Sequence, residues 1–168
     1  MIDTLFVNVN CLGDAGVEVL AEGLQQNQTL RELGLASNGI GAKGCRALVA
    51  SLKNHPSLSH LDLGYSPSTK VLGVQPNSIG DTGAAIIAHF LMHNPTLVEL
   101  SLQGTNISSR GKIILTNALE RNHKLCRLVL NGQLNANVES LLERNRLLNP
   151  SHQLARPRAI DSICSVYR

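Results

Sequence analysis

The feature that most constrains this chain is a match to itself at a fixed shift of 28 residues. Leu30, Leu33 and Leu35 are followed by Asn38, Ile40, Gly44, Leu48 and Leu52; one shift back, the same slots hold Ile2, Leu5, Val7, Asn10, Leu12, Gly16, Leu20 and Leu24. One shift forward come Leu58, Leu61 and Leu63. A fourth set, Leu97, Leu100 and Leu102, leads to Ile107, Gly111, Leu115 and Leu119, and a fifth is Leu125, Leu128 and Leu130. A period of this length marks stacked supersecondary units, none able to bury its apolar side alone. The step from Leu58 to Leu97 is 39, so 11 extra residues are present. Because Asn77, Ile79, Gly83 and Leu91 resume the pattern, the insertion falls within 64–76, and its Gly, Pro and Ser content reads as a loop.

Each slot has a physical reason. Leucines two apart point to one side of an extended strand. An Asn at the turn can bond backbone groups that a bending chain leaves unpaired, and a Gly before the helix permits close backbone approach. Gly16–Gln25, Gly44–Lys53, Gly83–His93 and Gly111–Glu120 carry apolar residues at helical spacing, Cys45, Leu48, Val49 and Leu52 falling on one face. Apolar residues make up 43% of the chain and aromatics 2%, so the core has to be aliphatic, which suits thin repeated layers.

The run from Leu30 to Leu52, L-x-x-L-x-L-x-x-N-x-I-G-x-x-G-x-x-x-L-x-x-x-L, resembles the ribonuclease-inhibitor-like subfamily of leucine-rich repeats. That subfamily includes ribonuclease inhibitor, the sensor domains of NOD-like receptors, Ran GTPase-activating protein and several bacterial effectors. The resemblance covers residues 2 to about 131 and implies an α/β leucine-rich-repeat solenoid, with a parallel sheet on the concave face and helices on the convex face. Thr105 departs from the pattern in the Asn slot of the fourth repeat, and the fifth repeat decays after Leu130. The expected organisation is a repeat domain over 1–148, closed by a helix at about 137–148, and a tail over 149–168. In the closing helix Val138, Leu141 and Leu142 face the solenoid, and Glu139, Glu143, Arg144 and Arg146 are expected to face water. In the tail, Ile160, Ile163 and Val166 have the spacing of a short amphipathic helix. Met1 stands one residue before the first strand, so an uncapped edge is expected. A fragment of a longer array is the favoured explanation, ahead of self-association through that edge or a polar helix face that suffices as a cap.

Several function classes find no support in the residues. A net charge of +3 without a clustered basic face or stacking aromatics argues against nucleic acid. No apolar run approaches the roughly 20 residues that span a bilayer, and the start lacks the signature of a secretory signal. Cys11, Cys45, Cys126 and Cys164 show no metal spacing, and the first three occupy non-equivalent repeat slots, which favours reduced thiols inside a cell. The expected compartment is the cytoplasm, of the producing cell or, for a secreted effector, of a host. No phosphate-loop or nucleophile-elbow motif occurs, so no cofactor, metal or catalytic residue is assigned.

On each strand the residues flanking the paired leucines point to the concave face. Three columns result: Thr4, Glu32, His60, Glu99 and Arg127; Phe6, Gly34, Asp62, Ser101 and Val129; Asn8, Ala36, Gly64, Gln103 and Asn131. The acidic residues around His60 are expected to form a solvated mixed-charge face, since an open surface lacks the enclosure that tunes catalytic groups. Gly34, Ala36 and Gly64 are expected to leave a shallow hollow beside them. The candidate protein-binding residues are therefore Glu32, Gly34, His60, Asp62, Glu99, Ser101, Gln103 and Arg127, with Tyr65 and Lys70 on the rim loop. His55, His93 and His123 read as occupants of helix C-termini. The function expected is a non-catalytic protein–protein interaction domain. A GTPase regulator, by analogy of fold alone, and a self-assembling module are the alternatives.

Overall fold

The computed structural model describes residues 2–66 and 69–150. Five short strands, β1 (Thr4–Phe6), β2 (Glu32–Gly34), β3 (His60–Asp62), β4 (Glu99–Ser101) and β5 (Arg127–Val129), form one parallel sheet in chain order. Between them run α1 (Gly13–Gln26), α2 (Ala42–Leu52), the single turn α3 (Thr69–Leu72), α4 (Gly80–His93) and α5 (Ser109–Arg121), and α6 (Ala136–Leu148) follows β5. This is the α/β solenoid that the repeat implied. Leu5, Leu33, Leu61, Leu100 and Leu128 pair in register across all five strands, so a 28-residue period becomes a straight apolar ladder. The ladder packs on Leu48, Leu52, Ile87, Leu91, Leu115 and Leu119 of the helices, all essentially inaccessible. At roughly 1.5–3 kcal/mol for each fully buried aliphatic side chain, these layers hold the fold. Leu5, Val7, Leu12 and Leu20 hold the same slots at β1 but are only half-buried, because among the described residues β1 pairs with β2 alone.

The turn asparagines tie repeat to repeat. Asn77 Oδ1 accepts from the backbone N–H of Asn38 and of Ile40, both at 2.9 Å. Its Nδ2 donates to Leu35 O at 2.9 Å and Leu63 O at 2.8 Å. Asn38 repeats the device one layer earlier, taking Asn10 N–H and donating to Val7 O, each at 2.9 Å. Thr105 keeps only part of it: its hydroxyl donates to Leu102 O at 2.7 Å. A second ladder closes each helix-to-strand return. The Oδ1 atoms of Asn27, Asn94 and Asn122 each accept two backbone N–H groups, and His55 stands in the same slot of the second repeat.

Two local expectations need correction. The insertion is not wholly loop, since it contains the turn of α3. Ser37 anchors it, accepting Ser66 N–H at 2.9 Å and lying 2.6 Å from Thr69 Oγ1, while Gly39 N–H donates to Gln75 O. In α6, Arg144 and Arg146 do not simply face water. Arg144 donates to the carbonyls of Leu119 and Glu120 at the end of α5 and of Asn122 at its C-terminal cap, and Arg146 Nε donates to Cys126 O. Asn145, fully buried between them, donates to Asn122 O and Leu125 O. Helix ends leave carbonyls unpaired, and here a guanidinium of α6 supplies the donors. The proposed tail helix around Ile160, Ile163 and Val166 lies outside the described residues.

Candidate functional site

The sheet register brings Glu32, His60, Glu99 and Arg127 side by side on successive strands, with Asp62 opposite Gly34 and Ser101 in the next column. His60 Nε2 lies 3.7 Å from Glu99 Oε1, and Arg127 lies 3.8 Å from Glu99 Oε2. His60 Nδ1 meets the Ser59 hydroxyl at 2.7 Å. The His60 ring, followed by Arg127, holds the Glu99 carboxyl below the usual carboxylate range, against the opposing effect of partial burial. Within the row Glu99 is thus an ionised carboxylate flanked by His60 and Arg127.

The face is less evenly solvated than the sequence suggested. Glu32 and His60 are each only 8% exposed, because strands ~4.8 Å apart bring neighbouring side chains over those in the middle. The hollow at Gly34, Ala36 and Gly64 is also filled. A Cβ at Gly34 would sit 2.6 Å from the Phe6 ring and 2.9 Å from Asn8 Oδ1; one at Gly64 would sit 2.5 Å from Ser101 Oγ. Asn8 Oδ1 accepts Ala36 N–H and Asp62 Oδ1 accepts Gly64 N–H, so polar side chains fold back over the bare backbone. Of the candidate residues, those that remain accessible lie toward β3–β5: Asp62, Glu99 and Ser101 are half-exposed, and Gln103 and Arg127 are exposed, while Thr4 and Phe6 of the same columns are exposed at the β1 edge.

The rim loop adjoins that region. Tyr65 is half-buried and lies over Gly104, where a Cβ would come within 2.7 Å of the Tyr65 Cβ. Gly104 follows Gln103, so the Tyr65 side chain borders the accessible end of the concave face. Lys70 is exposed on α3, beside Val71 and Leu72, which are 86% and 60% exposed. The return-turn histidines are not equivalent. Of these histidines His55 alone occupies the capping slot, where its Nδ1 accepts Leu58 N–H at 3.3 Å and its buried Nε2 has no partner among the described residues. Burial pushes its pKa below the ordinary 6.5. His93 and His123 lie to either side of the slot, exposed. The Cys45 thiol, inaccessible in the core, is pushed up to about 12 by burial, the environment of a packing residue and not of a nucleophile.

Residues 26–49 and 93–111 match the family described as Leucine Rich repeat. The chain is similar to NACHT, LRR and PYD domains-containing protein 3 of Mus musculus, 33% identical over 128 residues that cover 75% of this chain and 11% of that protein. It is also similar to Ribonuclease inhibitor of Sus scrofa, 29% identical over 134 residues, covering 68% of this chain and 29% of that protein. The chain thus spans only a small share of the length of these relatives. Among solved structures it superposes on Leiomodin-1 Actin-Binding Site 2 with a TM-score of 0.76 at 22% identity, covering 90% of this chain and 85% of that one. The tropomodulin C-terminal domain of Caenorhabditis elegans gives 0.71 at 16% identity, covering 91% and 89%. At such identities the two structures share the fold.

Proposed function

Because the chain belongs to the leucine-rich-repeat proteins of the ribonuclease-inhibitor-like kind, we propose that it is a non-catalytic interaction domain receiving a protein partner on the concave sheet and its rim. Domains of this class are generally protein-interaction modules, and the structural neighbour named for an actin-binding site is of that class. The observation that carries the reading is the cluster of accessible side chains at one end of the rigid sheet. Asp62, Glu99, Ser101, Gln103 and Arg127 project there, and Tyr65 borders them. Arg and Tyr are over-represented among residues that dominate binding energy, and a pre-ordered sheet lowers the entropy lost on association. Glu99 is held ionised by its neighbours, which suits charge recognition and not proton transfer. Among the described residues no helix is long and apolar enough to cross a membrane.

The test is affinity capture from cell lysate with the native chain and with a variant carrying Asp62→Arg and Glu99→Arg. Both positions are half-exposed, so the fold should survive, which circular dichroism checks. Glu32 is excluded from the variant because its burial would confuse unfolding with lost binding. A protein held by the native chain and lost by the variant supports the concave face. Identical retention by both removes it.

A further inference from the structure

Helix α4 presents a different outer face from its neighbours. The slot filled by Glu18 in α1 and Arg46 in α2 holds Ala85 in α4, and the slot of Lys43 in α2 and Arg110 in α5 holds Thr82. Where α1, α2 and α5 carry Gly23, Ser51 and Ala118, α4 carries Phe90. Across Gly80–His93 the only Asp, Glu, Lys or Arg is Asp81. Short side chains at 82 and 85 lower the α4 surface between two taller neighbours, and a groove of about 740 Å³ runs along it on the helical side of the solenoid. Its floor is apolar, formed by Val49, Ala85, Ile86 and Phe90. Its walls are cationic: Arg46 stands on α2 and Lys53 at the C-terminal cap of that helix, and Arg110 on α5, all exposed. The single acidic lining residue among the described residues, Asp81, is already engaged, its two oxygens taking the Ser108 N–H at 2.9 Å and the Ser108 hydroxyl at 2.6 Å.

We propose that this groove docks an amphipathic helix of a partner protein, apolar along one stripe and acidic along its flanks. From Thr82 to His93 the floor runs for roughly 17 Å at ~1.5 Å per residue, the length of about three helical turns. An apolar floor between charged walls is read by anchors at i, i+3, i+4 and i+7. Like charge on both walls selects the sign of the flanks, giving orientation and discrimination more than raw affinity. The surface lies on the opposite side of the solenoid from the concave face, so the two readings stand or fall separately.

The test uses the full chain and two synthetic helical peptides with the same Leu stripe, one flanked by Glu and the other by Lys, titrated by fluorescence anisotropy. The Glu peptide should bind about tenfold or more tightly than the Lys peptide, and its affinity should fall as salt is raised from about 50 to about 300 mM. Ala85→Glu should abolish binding without unfolding, since α1 carries Glu18 in the same slot. Arg46→Glu with Lys53→Glu should invert the preference between the peptides. Equal affinity for both peptides, no binding of the Glu peptide, or binding indifferent to Ala85→Glu would each overturn the proposal. So would capture of phosphatidylserine vesicles in preference to the Glu peptide, which would assign the groove to a membrane surface.

Discussion

Replacing Asn77 by Ala should damage this protein more than the loss of any exposed residue. Asn77 is 1% exposed and makes four hydrogen bonds with backbone groups of the second and third repeats. Alanine would leave two N–H donors and two carbonyls buried without that partner. An orphaned buried polar group costs about 1–3 kcal/mol, and relaxation or entering water recovers part of the sum, so a loss of about 3–6 kcal/mol is expected. Against a total stability of about 5–15 kcal/mol, this is a large fraction. For a chain of this size it corresponds to a fall in Tm of roughly 10–20 °C. Asn77→Thr should be milder, because Thr105 occupies the same slot and still donates to Leu102 O. Urea unfolding followed by circular dichroism measures all of this, with Asn117→Ala on the exposed face of α5 as the control. A loss below ~1 kcal/mol for Asn77→Ala would refute the claim that the asparagine ladder couples the repeats.

Other substitutions test neighbouring parts of the account. His55→Asn should gain about 1 kcal/mol near neutral pH, because Asn accepts two N–H groups in this slot and His55 accepts one. It should also flatten the acid side of the stability profile. Burial lowers the folded pKa of His55, so the unfolded chain takes up its proton first, and stability falls as pH drops through about 6.5 toward the folded value. Urea midpoints at several pH values check both points. Val9 is a β-branched residue at φ 64°, a slot that holds Gly104 and Gly132 in later repeats, so Val9→Gly should raise stability by ~1 kcal/mol in a thermal melt. Arg144→Ala should lower it by about 1.5–3 kcal/mol by uncapping α5, and Arg144→Lys should recover less than half, an ammonium being unable to fork across several carbonyls.

The strand register was legible because Leu33 and Leu61, and again Leu100 and Leu128, recur at the shift of 28 on which the sheet is built, so periodicity alone placed Glu32 beside His60 and Glu99 beside Arg127. Burial on the concave side was not legible. Whether a column residue is covered depends on how Phe6, Asn8 and Ser101 fold over the neighbouring strand, which spacing does not encode. The role of Arg144 was hidden for a similar reason: a charged residue on the outer stripe of a helix reads as solvated until the open end of α5 is seen beneath it. The Ala85 and Thr82 substitutions on α4 were present in the sequence. They emerge only when the outer slots are compared repeat by repeat, as the apolar slots were.

The central claim is that a protein partner sits on the sheet side of the solenoid, at the end bounded by Tyr65. Photo-crosslinking with the captured partner tests it directly, with a photoreactive residue at exposed Gln103 of the concave face or at Val19, 69% exposed on α1. The account predicts a covalent adduct from Gln103 and none from Val19. An adduct from Val19 with none from Gln103 would contradict it.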